Sequence, residues 1–148
     1  MQLSNEILIR LSIFLLGLCG FLVAKHIRNH KTKNIPLVCP IRFDCHTVVH
    51  SDYSKFLCIP VEVLGMFYYA FVVVTYFLLI FLPDILSLNN NFLKISLFSI
   101  SLIAFLFSTY LIAVQIFILK KGCSWCIVSA FICLCIFILA MFLPLFWF

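Results

Sequence analysis

The sequence predicts an all-α integral membrane protein: a bundle of four transmembrane helices, with a long loop and a short surface helix between spans one and two. Three observations predict it. Of 148 residues, 66% are hydrophobic and only 10% are charged, and the mean hydropathy is +1.25. A soluble domain of this size has no interior large enough to hide that much apolar surface, so lipid must be its solvent. The apolar residues fall into four runs of about 18 to 28 residues, and roughly 20 helical residues cross the hydrocarbon core of a bilayer. The polar residues collect between those runs, most of them in one segment. The formal charge of +5 is spread over loop segments and is no nucleic-acid footprint.

The first span covers about residues 7–24, apolar apart from Arg10 and a few small polar residues. Arg10 sits near the end and is expected to snorkel to the interface. No small-x-small cleavage site follows, whereas the basic residues Lys25, His26 and Arg28 do. The run therefore reads as a retained helix and not as a cleaved signal peptide. Residues 29–60 form the long polar segment, with Cys39, Pro40, Asp44, Cys45, His46, His50 and Ser51 among its members. Its stretch from His46 to Phe56 is the expected surface helix, with Val48, Val49 and Tyr53 on its apolar side.

Pro60 opens the second span, about residues 61–82, where its missing N–H costs nothing. Glu62 lies just inside this helix, and Pro83-Asp84 closes it. Ser87 to Asn91 is a polar turn. The third span covers 92–119, with Lys94 at its start and Gln115 near its end. Lys120-Lys121-Gly122 is a hinge, and the fourth span covers 123–147 in a stretch without a charged residue. The whole of 1–148 reads as one domain.

Four crossings put the loop between spans one and two on the same side as the hinge between three and four. Of eight cysteines, Cys39, Cys45, Cys58, Cys123 and Cys126 then share one face, while Cys19, Cys133 and Cys135 lie inside helices as packing residues. Cys123 and Cys126 stand three apart at the start of the fourth span, so they share a helix face and can close a disulfide. The helix N-terminus offers unpaired N–H groups and the positive end of a dipole, both of which lower a thiol pKa. Cys123 is nearer water and Cys126 nearer lipid, a division suited to a protein thiol outside and a lipid-soluble oxidant inside. Cys39 and Cys45, six apart around Pro40, can close a second disulfide that exchanges with the first. The same residues admit static readings: a structural loop disulfide, or a metal site of Cys39, Cys45, His46 and His50 in a non-enzymatic metal-handling membrane protein. A four-thiolate zinc site needs two matched pairs, and this chain has a single Cys-x-x-Cys.

The order Cys39…Cys45, Ser51, Ile59-Pro60…Leu64-Gly65…Tyr68-Tyr69, Cys123-Ser124-Trp125-Cys126 resembles the vitamin K epoxide reductase family, in particular its compact bacterial members. The resemblance covers roughly residues 39–69 and 121–130. It implies a thiol:quinone oxidoreductase that supports disulfide bond formation in exported proteins. A thioredoxin-like (DsbA-like) partner would pass electrons to Cys39 and Cys45, these to Cys123 and Cys126, and Cys126 to a quinone of the ubiquinone, menaquinone or vitamin K type. Ser51 matches the family's loop hydroxyl near the redox centre, and no metal is implied. Two positions depart from the pattern. Cys58 stands where the family often has Gly, and Val61 and Ala130 stand where the vertebrate enzymes place an amide residue and a tyrosine. The resemblance therefore implies quinone reduction and not epoxide chemistry. A disulfide-generating bundle of the DsbB type carries its Cys-x-x-Cys early and its second pair later, the reverse of the order here.

A quinone needs an apolar, aromatic slot with one or two polar groups for its carbonyls. Tyr68, Tyr69 and Trp125 lie near the cysteine face and are the expected contacts, with Glu62 as the ionisable group at the membrane mouth. Orientation is contested by two rules. Lys25, Arg28, Lys31, Lys33, Arg42, Lys55, Lys120 and Lys121 sit on the cysteine face, against Arg10 and Lys94 on the other. Charge counting puts the thiols in the cytosol, whereas persistent disulfides belong outside it. The expectation adopted is a multi-pass protein of the inner (cytoplasmic) membrane with its cysteines on the periplasmic or extracellular face.

Overall fold

A computed structural model describes residues 2–33, 55–56, 58–82, 91–120 and 124–145. Four helices account for nearly all of them: α1 (Gln2–Thr32), α2 (Val61–Phe81), α3 (Asn91–Ala113, prolonged by a π-helical turn, Val114–Leu119) and α4 (Ser124–Leu145). Each contains a stretch long and apolar enough to cross a membrane: Ser4–Thr32, Val61–Phe81, Phe92–Ile118 and Ser124–Phe142. The four-span bundle that the sequence predicts is the fold found.

α1 is longer than the apolar run at 7–24. Its 31 residues reach about 46 Å at 1.5 Å per residue, well beyond the ~30 Å hydrocarbon core. Its last turn carries His30 and Lys31, cations that suit the negative end of the helix dipole. At the other end Arg10 is buried instead of snorkelling, with its guanidinium 3.5 Å from Glu6 one turn earlier.

The expected surface helix at His46–Phe56 lies outside the described residues except for its last two. Lys55–Phe56 form a strand, β1, antiparallel to β2 (Ile59–Pro60). The register pairs Lys55 with Pro60 and Phe56 with Ile59, which leaves two residues for the turn. The second of them, Cys58, takes φ = 67°. Pro60 then serves as the N-cap of α2, at φ −59°, the value its ring imposes.

α1 packs along α2 and against α4, and α3 packs on α4. The core joins Ile13 and Ala24 of α1, Tyr69, Val72, Tyr76 and Leu79 of α2, and Ile132 and Ile136 of α4. α1 approaches α2 closely at Gly20, where a β-carbon would collide with the Tyr69 ring. Outward faces are apolar as well. Phe67, Phe71, Val74 and Phe81 make a stripe along α2, and Leu8, Leu11, Leu15, Leu18 and Leu22 make one along α1. Such stripes are unfavourable in water and neutral in lipid.

Candidate redox site at the membrane mouth

The end of α1 meets the starts of α2 and α4. One carboxylate makes the first junction. Glu62, in the first turn of α2, has a side chain only 5% exposed, and Oε1 lies 3.1 Å from Lys31 Nζ and 3.6 Å from an Arg28 guanidinium nitrogen. Lys31 also reaches Oε2 at 3.5 Å. The N-terminal end of α2 favours this negative charge and the C-terminal end of α1 favours the two positive ones. Glu62 thus ties two helices together across the long loop.

Rings make the second junction. His26 of α1 packs on Trp125 of α4, centroids 4.6 Å apart and planes tilted by 43°. His30, one turn on, packs behind His26 at 4.2 Å. Its Nδ1 lies 3.0 Å from the His26 carbonyl. A carbonyl only accepts, so this nitrogen carries the proton and donates it.

Cys126 is half-buried on the first turn of α4. That turn supplies N–H groups without intrahelical partners and the positive end of the dipole. Cys39, Cys45, Cys123 and Ser51 lie outside the described residues. Just behind Cys126, the buried Tyr69 hydroxyl donates to the Ser129 carbonyl at 2.8 Å. It has only one proton, so the Ser129 hydroxyl is the donor in the second contact, at 3.0 Å. Tyr69 therefore binds α2 to α4 one turn beyond the thiol.

Tyr68 faces the bundle interior, its hydroxyl close to Ser101 of α3 and Cys133 of α4 and without a hydrogen bond of good geometry. Cys133 is buried and Cys135 half-buried, which suits packing residues, whereas Cys19 is exposed on the outer face. Cys58 is exposed in the β1–β2 turn. Among the described residues no cluster of three His, Cys, Asp or Glu side chains is placed to hold a metal.

Of the residues expected from sequence, Trp125 and Cys126 stand together at the mouth. Glu62 stands in an ion cluster with α1, Tyr69 in a helix tie, and Tyr68 deeper, among α2, α3 and α4. Sequence reasoning missed His26, His30, Arg28 and Lys31. The available signal was the i, i+4 spacing of the two histidines and the i, i+3 spacing of the two cations at a helix end.

No curated protein matches the chain. The model for the vitamin K epoxide reductase family matches residues 7–141. That range runs from the first span into the last turns of the fourth and contains every cysteine discussed above. A helical membrane bundle with a half-buried cysteine on the first turn of its last helix agrees with the match, and the chain belongs to the vitamin K epoxide reductase family.

Proposed function

We propose that the protein is a thiol:quinone oxidoreductase that carries electrons from a thioredoxin-like partner through two cysteine pairs to a quinone. Membership of the family makes it a membrane oxidoreductase that works with a quinone, and this match is the observation that carries the reading. The route through particular cysteines is inferred from their chemistry. In the first exchange a thiolate of the reduced partner attacks the Cys39–Cys45 disulfide; the partner leaves oxidised and the loop pair becomes a dithiol. In the second, a loop thiolate attacks Cys123 of the Cys123–Cys126 disulfide and releases Cys126 as a thiolate. The other loop cysteine resolves the mixed bond, so the loop disulfide reforms. In the third, Cys123 and Cys126 give two electrons and two protons to the quinone; a disulfide and a quinol result. The sum is partner dithiol plus quinone giving partner disulfide plus quinol.

The position of Cys126 supports this assignment of roles. Its helix N-terminus stabilises the thiolate that the second exchange releases. The helix then leads from the aqueous end into the bundle, where an apolar acceptor dissolves. Tyr68, with a buried hydroxyl, fits a contact to a quinone carbonyl, and Trp125 a contact to the ring. Tyr69 and Glu62, both engaged between helices, act as framework around the slot. Ser51 is proposed to polarise the exchange between the two pairs. The site is proposed to face the periplasm or cell exterior from the inner membrane.

Trapped intermediates test the route. Replacing one loop cysteine, in Cys39→Ala or Cys45→Ala, is expected to accumulate a mixed disulfide between the other and Cys123, readable by mass spectrometry without reductant. A set of single substitutions that traps no bond between the loop and the hinge would refute the relay.

A further inference from the structure

We propose that His26 is a positioning residue for the Cys123–Cys126 turn, acting through Trp125, with His30 as its backstop. The ion cluster at Glu62 fixes the end of α1 against α2, and the three-ring contact carries that fixed frame across to α4. His26 sits at 4.6 Å from Trp125 and 4.2 Å from His30. The His30 Nδ1–H donated to the His26 carbonyl at 3.0 Å holds the outer ring in place. His30 lies four residues after His26, so both rings occupy one face of α1.

Trp125 lies between the two cysteines of the motif. A side chain that pins it restricts the backbone of its neighbours Ser124 and Cys126. A disulfide tolerates only a narrow range of Cα separation, about 4.4–6.8 Å. Whether the thiols are held in that range decides how readily the bond forms and so where its potential lies. Ser124, beside Trp125, is buried too, so this part of the turn is packed, not solvated. His26 thus does its work as a flat ring that fills the space between α1 and Trp125.

The inference rests on the relay only in taking Cys123 and Cys126 as a redox pair, and its test needs no quinone. Full-length protein in detergent is equilibrated with glutathione buffers, and the Cys123–Cys126 disulfide is quantified by alkylation and mass spectrometry. Trp147→Phe is made in parallel so that Trp125 is the one remaining tryptophan and its emission reports the contact. His26→Leu, which keeps helix propensity and apolar bulk but no flat ring, is expected to shift the thiol–disulfide equilibrium by about 3- to 10-fold, or roughly 14 to 30 mV for a two-electron couple. It should also change the Trp125 emission. His26→Phe, which restores a flat ring, should return both to within about twofold of wild type, a difference of roughly 9 mV. His26→Leu matching wild type in both readouts, or His26→Phe failing as His26→Leu does, would overturn the proposal. Absence of a Cys123–Cys126 disulfide in the wild type at every poise would sink the relay reading itself, and the positioning role with it.

Discussion

Cys58 holds a backbone conformation that its side chain opposes. At φ = 67° it lies in the left-handed region, where a β-carbon costs roughly 1–2 kcal/mol and glycine costs none. The turn between β1 and β2 has only two residues, and the second bends this way as Phe56 pairs with Ile59. Glycine is what this position asks for on steric grounds alone. Cys58→Gly should therefore stabilise the fold by about 1 kcal/mol, the lower end of that range, seen as a higher Tm in detergent. A lower Tm would mean that the thiol contributes more than its backbone strain costs. Glu62 poses the opposite case. Its carboxylate is almost fully buried and shared by Lys31 and Arg28. Glu62→Gln removes the buried carboxylate charge that Lys31 and Arg28 share and should cost about 3 kcal/mol, since removal of one partner of a buried pair is severe. Lys31→Met in the same chain should recover part of that loss. A double-mutant cycle on thermal unfolding reads the coupling, and additive effects would contradict the ion cluster.

Helix α1 organises the bundle at the scale of elements. It packs against both α2 and α4, and Gly20 makes its close approach to α2 possible. Gly20→Ala drives a methyl into the Tyr69 ring, whose hydroxyl holds Ser129. Overpacking of this kind costs about 1–3 kcal/mol. The same substitution should loosen the start of α4 and so accelerate alkylation of reduced Cys126. Unchanged stability and alkylation rate would show that the ring can move aside. The four spans were legible because lipid demands long apolar runs and little else in the chain supplies them. The length of α1 was not, because hydropathy falls at Lys25 while helical hydrogen bonding continues to Thr32. The π-helical turn at Val114–Leu119 was equally invisible. It closes with the Lys120 N–H donating to the Gln115 carbonyl, a backbone event with no residue signature. Tyr69 and Glu62 were found as residues near the site, yet their ties to Ser129, Arg28 and Lys31 depend on packing between helices far apart in sequence. The cysteine pattern needed no packing at all: spacing and topology alone put Cys126 at a helix start.

For the whole molecule, charge is one-sided. Counted along the sequence, eight cations and three acids (Asp44, Asp52 and Glu62) fall in segments expected at the cysteine end, a balance of +5, while Glu6, Arg10, Asp84 and Lys94 cancel in those expected at the other. The periplasmic assignment predicts that a membrane-impermeant maleimide labels reduced Cys39 and Cys45 on intact cells. Labelling only after the cells are broken would reverse the orientation. The relay and the reduction of a quinone both depend on Cys123 and Cys126 acting in series with the acceptor. Purified protein given a dithiol donor and oxidised ubiquinone or menaquinone measures that dependence most directly. Replacing Cys123 or Cys126 by alanine should lower quinol formation by at least about 100-fold, the loss of roughly 2.7 kcal/mol or more of transition-state stabilisation. Wild-type rates with either alanine in place would contradict it.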